Sequence, residues 1–291
     1  MFSGSIPALV TPFQDGSIDE AAFRRLVQWQ IAEGSSALVP CGTTGEAPTI
    51  TSEEQHRLFA LCVEAAAGQV PVIAGCGSND TQTAKWHMQV AKDLGCQAAL
   101  MVAPYYNRPN QDGIYAHYAH LAETSDLPII VYNVPARTVT DIQPDTLAEL
   151  AKIPSIVGVK DASGAIARVT SHRLGCGADF LQLSGNDEMA LAFNAAGGRG
   201  CISVTANVAP KLCAEFQVAS LAGDQAKAHA LNEKLFALHL SLFTDASPGP
   251  VKYAMTRVVD WMTADVRLPM TPPSEASRNA VDSALEVAGL I

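Results

Sequence analysis

No two of the seven cysteines stand at Cys-x-x-Cys spacing, so the sequence writes neither a zinc ribbon nor a thioredoxin-type redox pair. Cys41, Cys62, Cys76, Cys96, Cys176, Cys201 and Cys213 are scattered and odd in number, which suits reduced, mostly buried thiols in a cytosol. Charge is sparse as well. Only 16% of residues are Asp, Glu, Lys or Arg and the formal net charge is -10, a balance that argues against nucleic acid or an anionic membrane as partner. The first residues carry no basic segment and no long apolar run, so neither a signal peptide nor a membrane-spanning helix is expected, and the expected location is cytoplasmic. The histidines offer no H-E-x-x-H pattern, and His117 and His120, three apart on an expected helix, read as surface or interface residues. No metal and no organic cofactor are expected. A dinucleotide fingerprint is missing too: Thr11-Pro12-Phe13 follows the first expected strand, and Gly75-Cys76-Gly77 does not complete one.

What is present is a large apolar fraction, 48% of 291 residues, ample for a sizeable core. Strand-like runs recur at 6–10, 37–40, 70–74, 98–102, 128–132, 155–159, 180–183 and 201–204. Helical patterns separate them. Phe23, Leu26, Val27 and Ile31 share one helical face before Gly34; Thr51-Ser52-Glu53-Glu54 is a capping box; Asn79 or Asp80 opens the next helix. Eight strands alternating with helices imply parallel pairing and right-handed crossovers. The expected fold is α/β, a (β/α)8 TIM barrel, with a doubly wound open sheet as second choice. After Asp224 three helical stretches follow without a strand. The expected organisation is therefore a catalytic barrel over 1–223 and a C-terminal helical region over 224–291.

In such a barrel the reactive groups come from the C-terminal ends of the strands. Those ends read Thr11; Gly42-Thr43-Thr44-Gly45-Glu46; Pro104-Tyr105-Tyr106-Asn107; Tyr132-Asn133-Val134-Pro135-Ala136-Arg137; Lys160; Ser184-Gly185-Asn186-Asp187; and Ser203. Each has a plain reading. Gly-Thr-Thr-Gly serves equally as a tight turn or as a nest of amides for a carboxylate. The tyrosines suit core or interface positions, and Arg137 could pair with a surface acid. Their convergence on one rim favours chemistry. Lys160 ends a buried, β-branched run, and desolvation pushes an amine in such a place toward its neutral, nucleophilic form. At the ordinary lysine value of ~10.4 only about one amine in 2,500 is neutral at pH 7, whereas at ~7–8 roughly 10–50% is. A neutral lysine in a pocket is what Schiff-base chemistry with a ketone or aldehyde requires.

Three motifs in order, Gly42-Thr43-Thr44-Gly45-Glu46, Tyr132-Asn133-Val134-Pro135-x-Arg137-Thr138 and Gly158-Val159-Lys160-Asp161-x-Ser163-Gly164, resemble the signatures of the dihydrodipicolinate synthase/N-acetylneuraminate lyase superfamily. The likeness continues through Ser184–Asp187, Ile202–Asn207 and Pro250-Val251-Lys252, and within the superfamily it is nearest to dihydrodipicolinate synthases. The resemblance implies condensation of pyruvate with L-aspartate 4-semialdehyde on the route to diaminopimelate and lysine. It implies Lys160 as the Schiff-base lysine and Tyr132 as general acid/base. Thr43 and Tyr106 would complete a hydroxyl relay, Tyr106 being supplied by a neighbouring subunit. Thr44 would bind the pyruvate carboxylate and Arg137 that of the semialdehyde, while Gly185 and Ile202 would lie beside the lysine. The covalent pyruvate imine replaces any cofactor, and the implied assembly is a homotetramer of tight dimers. Lysine feedback is expected to be weak or absent. Asn79 and Tyr105 fit the family's lysine site, but Ala47, Pro48, Ser52, Gln55 and Thr83 replace residues that include a glutamate in strongly inhibited members. The rival readings are another pyruvate-dependent aldolase or lyase, acting on sialic or keto-deoxy sugar acids, and a non-catalytic barrel that binds a keto acid as a regulator.

Overall fold

A computed structural model of the chain describes residues 2–291. Among the described residues nine strands are present: β1 (Gly4–Pro7), β2 (Phe13–Gln14), β3 (Ser17–Ile18), β4 (Ile73–Gly75), β5 (Ala98–Val102), β6 (Ile129–Asn133), β7 (Ile156–Asp161), β8 (Leu181–Ser184) and β9 (Gly200–Ser203). Seven form one curled parallel sheet in the order β1-β9-β8-β7-β6-β5-β4, and β2 and β3 make a small antiparallel hairpin that the sequence reading missed. The sheet closes through residues 37–39, by parallel bridges Ala8↔Val39 and Leu38↔Val72. The expected (β/α)8 barrel therefore forms, with one correction. The run 37–40 is not a regular strand. Pro7, Pro40 and Pro71 each lack an N–H along this closure, which breaks the ladder into isolated bridges. The chain still pairs there: Leu38 N–H donates to the Pro71 carbonyl (3.0 Å), Val39 N–H to that of Pro7 (3.0 Å) and Gly75 N–H to that of Pro40 (3.0 Å).

The strands of the large sheet are mostly apolar because both faces are buried, and most of their polar residues fall at the C-terminal ends. Ile130, Tyr132 and Val134 point into the barrel with Ile6, Val39, Ile73, Leu100, Leu183 and Ile202. Ile129 and Val131 point outward, into the layer between sheet and helices with Leu58, Met88, Tyr118 and Leu147. The expected helix starts at Thr51 and Asp80 hold: Thr51 and Glu54 complete a reciprocal box on Ser52–Ala66, and Asp80 caps Thr81–Asp93, while Asp19 caps Glu20–Ala32. His117 is a further correction. It is buried, with Nδ1 2.9 Å from Thr81 Oγ1, because the neighbouring helix packs over it. After residue 224 the helices Gln225–Ser241, Gly249–Val258 and Glu275–Ala288 follow; the first packs on Pro210–Leu221 and on the last. Among the described residues no helix is long and apolar enough to cross a membrane.

The closure also brings two backbones into close contact. A Cβ on Gly75 would stand 2.2 Å from the Cys41 carbonyl oxygen, and backbone cannot yield as a side chain can. Gly75→Ala should therefore destabilise the chain by about 3 kcal/mol. Denaturant unfolding would measure this, and a loss under about 0.5 kcal/mol would show that the closure is looser than described.

Candidate active site

The central feature is a register. Strands β6 and β7 pair with a shift after Ile129↔Ile156, so that Ile130 faces Gly158 and Tyr132 faces Lys160. The shift is a β-bulge, which re-aims the residues beyond it. As a result Lys160 and Tyr132 project side by side into the barrel, and Lys160 Nζ lies 4.2 Å from the centre of the Tyr132 ring. Both side chains are buried. Among the described residues Lys160 takes part in no ion pair. Gly185 borders it: a Cβ there would stand 3.1 Å from Lys160 Cε and 2.7 Å from the Ala162 Cβ. Ile202 forms part of the fully buried interior wall.

On the opposite side of the barrel mouth stands the Gly42–Glu46 turn. Cys41 and Glu46, at its two ends, adopt left-handed backbone conformations (φ 56° and 59°). Thr11 Oγ1 donates to the Gly45 carbonyl at 2.7 Å, Gly45 N–H donates to the Gly42 carbonyl at 3.0 Å, and Glu46 N–H to that of Thr43 at 3.1 Å. Backbone N–H groups left unpaired at a turn can receive an anion. The Thr43 and Thr44 amides make no hydrogen bond within the described chain. Thr44 is buried and Thr43 half-buried.

A cleft of about 410 Å³ opens between the turn and the end of β6, lined by Thr43, Tyr105, Tyr132, Val134, Arg137 and Thr138; Lys160, Thr44 and Gly185 do not line it, and Lys160 lies behind the Tyr132 ring. Arg137 lies on the one-turn helix Pro135–Thr138 that follows β6, exposed and without an ion pair among the described residues. The cleft continues past Ala47, Pro48, Ser52, Gln55, Thr83 and His87, and that annex contains no carboxylate. Among the described residues no cluster of three His, Cys, Asp or Glu could hold a metal. Tyr106 stands apart. It is 90% exposed, has φ 71°, and does not line the cleft of its own chain. The structure thus gathers Lys160, Tyr132, Gly185, Thr43, Thr44 and Arg137 around one barrel mouth and leaves Tyr106 outside.

A model of the dihydrodipicolinate synthetase family matches residues 1–288. The chain belongs to that family. Among curated relatives, the 4-hydroxy-tetrahydrodipicolinate synthase of Novosphingobium aromaticivorans is 65% identical over 293 residues, covering 100% of this chain and 99% of that protein. The one from Rhizorhabdus wittichii is 66% identical over 290 residues, covering all of both. Among solved structures, a dihydrodipicolinate synthase from Acinetobacter baumannii, chloride-inhibited and complexed with pyruvate, is 42% identical with a TM-score of 0.97 over the whole of both chains. A monomeric dihydrodipicolinate synthase variant is 37% identical, also with a TM-score of 0.97, covering 100% of this chain and 98% of that one. This family membership makes the chain an enzyme of amino-acid biosynthesis on a TIM barrel.

Two groups of residues at the mouth have no reading in the sequence. Arg168 grips Asp141 through both oxygens (2.7 and 2.6 Å), and Asp141 accepts from Asn133 Nδ2 at 2.9 Å, which ties the end of β6 to the helix after β7. His87, in the annex, sits with Nδ1 3.1 Å from His56 Nε2. Burial, with His56 a smaller contributor, depresses His87 to about 4, and burial depresses His117 to about 4. Burial lowers His172 and His239 too. A histidine depressed by folding binds its proton more readily in the unfolded chain. Stability is therefore full above the unfolded value of ~6.5 and falls as pH drops from there toward about 4. At pH 5 His87 and His117 should each have lost about 2 kcal/mol. Melting temperatures measured from pH 7.5 to 5 should fall steeply, and less so in His117→Gln. A flat profile would show these imidazoles to be freely hydrated.

Proposed function

We infer that this enzyme catalyses the reaction for which its relatives are named, condensing pyruvate with L-aspartate 4-semialdehyde through an imine on Lys160. The observation that carries the reading is the buried, ion-pair-free amine lying 4.2 Å from the Tyr132 ring at a barrel mouth. The amine attacks the keto carbon of pyruvate and water leaves. The protonated imine then withdraws electrons from the adjacent methyl group, which releases a proton and becomes an enamine carbon. That carbon attacks the aldehyde, forming the new C–C bond and an alkoxide that takes a proton. Tyr132 is the acid/base group for these transfers, joined to Thr43 and to a partner's copy of Tyr106 in a chain of hydroxyls that polarise one another.

Pyruvate's carboxylate is read as sitting on Thr44 and the unpaired amides of the turn. Arg137 provides the planar, two-pronged donor for the semialdehyde's carboxylate. Gly185 and Ile202 shape the wall around the imine. No cofactor enters this scheme. The proposed division of the chain puts the chemistry in barrel residues 1–223, with the helical region 224–291 bracing it. The proposed assembly is a homotetramer in the cytoplasm, its dimers completing the site through Tyr106. The presence of Arg137 favours this reading over lyases for sialic or keto-deoxy sugar acids, whose pockets need hydroxyl partners.

Borohydride reduction in the presence of pyruvate, followed by peptide mass measurement, should place one adduct on Lys160. Lys160→Ala should fold and form none. Arg137→Ala should trap pyruvate normally and lose about a hundredfold in kcat/KM for the semialdehyde, about 2.7 kcal/mol. An adduct on another lysine, or loss of trapping in Arg137→Ala, would overturn these assignments. The carboxylate-free annex gives L-lysine's ammonium no counter-charge, so millimolar L-lysine should leave the rate in a coupled assay nearly unchanged; half-maximal inhibition below 1 mM (on the order of 4 kcal/mol of binding or more) would contradict the reading.

A further inference from the structure

A second lysine is buried more completely than Lys160 and lies outside the cleft. Lys252, on Gly249–Val258, has no exposed side-chain surface. Its Nζ lies 2.5 Å from Glu46 Oε1, donates to the Asp265 carbonyl at 2.7 Å, and stands 4.1 Å from the centre of the Phe13 ring. Glu46 is buried too, and its second oxygen accepts the Arg267 amide at 2.9 Å. Arg267 covers the Phe13 ring, 4.4 Å from its centre, and grips both oxygens of Glu54, the capping-box residue of the next helix. A buried ion pair rarely adds stability over well-packed apolar residues, because desolvating two charges offsets their attraction. Its effect here is better sought in geometry.

Glu46 is where that geometry matters. It closes the Gly42–Glu46 turn in a left-handed conformation that non-glycine residues adopt only when their surroundings hold them there. Its N–H donates to the Thr43 carbonyl, and the next amide, Ala47 N–H, reaches the Gly42 carbonyl at 3.4 Å. Any rotation of Glu46 therefore moves the peptide units of Thr43 and Thr44. Their free amides would turn with them.

We propose that Lys252 is a positioning residue for the keto-acid carboxylate: through its ion pair with Glu46 it fixes the turn whose Thr43 and Thr44 amides receive that group. This rests on the reading that the turn binds pyruvate. It makes the C-terminal region part of the substrate site, although no residue of that region lines the cleft. Burial, partly offset by Glu46, lowers Lys252 to about 8. The charged groups facing it are Glu46 from the turn and Asp265 and Arg267 from the segment beyond its own helix. A lysine lowered by folding loses its proton first in the native state. Raising the pH through 8 thus frees Glu46 from its partner and relieves, rather than adds to, the cost of burying the lysine's charge.

The test is the half-saturating pyruvate concentration in borohydride trapping, measured on the full chain as wild type, Lys252→Met and Glu46→Gln/Lys252→Met. Lys252→Met should raise it about tenfold, with the adduct at saturating pyruvate still one per chain. The double variant removes the unpaired carboxylate, so it should fold even if the single variant does not, and it should keep a raised half-saturation. In the wild type half-saturation should climb above pH 8; in the double variant that climb should vanish. Wild-type half-saturation in either variant, with only a lowered melting temperature, would overturn the proposal, as would an alkaline climb unchanged in the double variant. Failure of the wild type to form any Lys160 adduct would instead sink the proposed function itself, and this inference with it, before the variants are compared.

Discussion

The register between β6 and β7 is the constraint on which the rest of the site depends. Side chains alternate across a strand, so a slip of one residue would carry Lys160 to the outer face, where Val159 now packs among the helices. The bulge after Ile129 sets Tyr132 opposite Lys160, and the small residues around the pair follow from that placement. Gly158 is tight against Leu181, where a Cβ would come within 2.5 Å of the leucine Cβ, and Gly185 leaves room for the lysine's methylene chain. Sequence, register and packing therefore specify one position for one amine.

The chain buries two lysines at this end of the barrel, and their partners differ more than their burial does. Lys252 has a carboxylate, a carbonyl and an aromatic face. Lys160 has the aromatic face of Tyr132 and no carboxylate. A charge matched on all sides is suited to hold a structure in place. An amine left without an ionic partner is suited to be spent in a covalent bond and recovered. The same side chain thus acquires two uses from the company it keeps, and a count of lysines near strand ends would not separate them.

Much of this was legible in the amino-acid order because a barrel writes it clearly. Strands buried on both faces become unbroken apolar runs, and the polar residues that interrupt them fall at one rim, which picks out Thr43, Thr44, Tyr132, Arg137, Lys160 and Gly185 together. The run 37–40 misled because hydropathy does not register the missing proline donors that break its ladder. His117 misled because a lone polar residue on a helix looks exposed until its hydrogen-bond partner, Thr81 on another helix, is seen beside it. Lys252 and Glu46 lie in recognisable motifs, yet nothing local links them; the pair exists only once the chain's last quarter has folded back over its first.

Tyr106 illustrates a different limit. Its backbone and that of Arg108 are both left-handed (φ 71° and 49°), and the loop is nonetheless fixed, with Asn107 N–H donating to the Tyr105 carbonyl and Asn107 Nδ2 to that of Asn79, each at 2.8 Å. Two strained residues and an aromatic ring turned out to water are an expensive arrangement for a solitary chain. The expense makes sense if the ring is meant for another surface. A ring held out in one conformation loses little entropy when a second copy receives it, so the strain within each chain becomes preorganisation between two. On that argument the mouth seen in one chain is a half-built site. Its wall and turn are set by the barrel, and under the proposed function a second copy would supply the last hydroxyl of the relay.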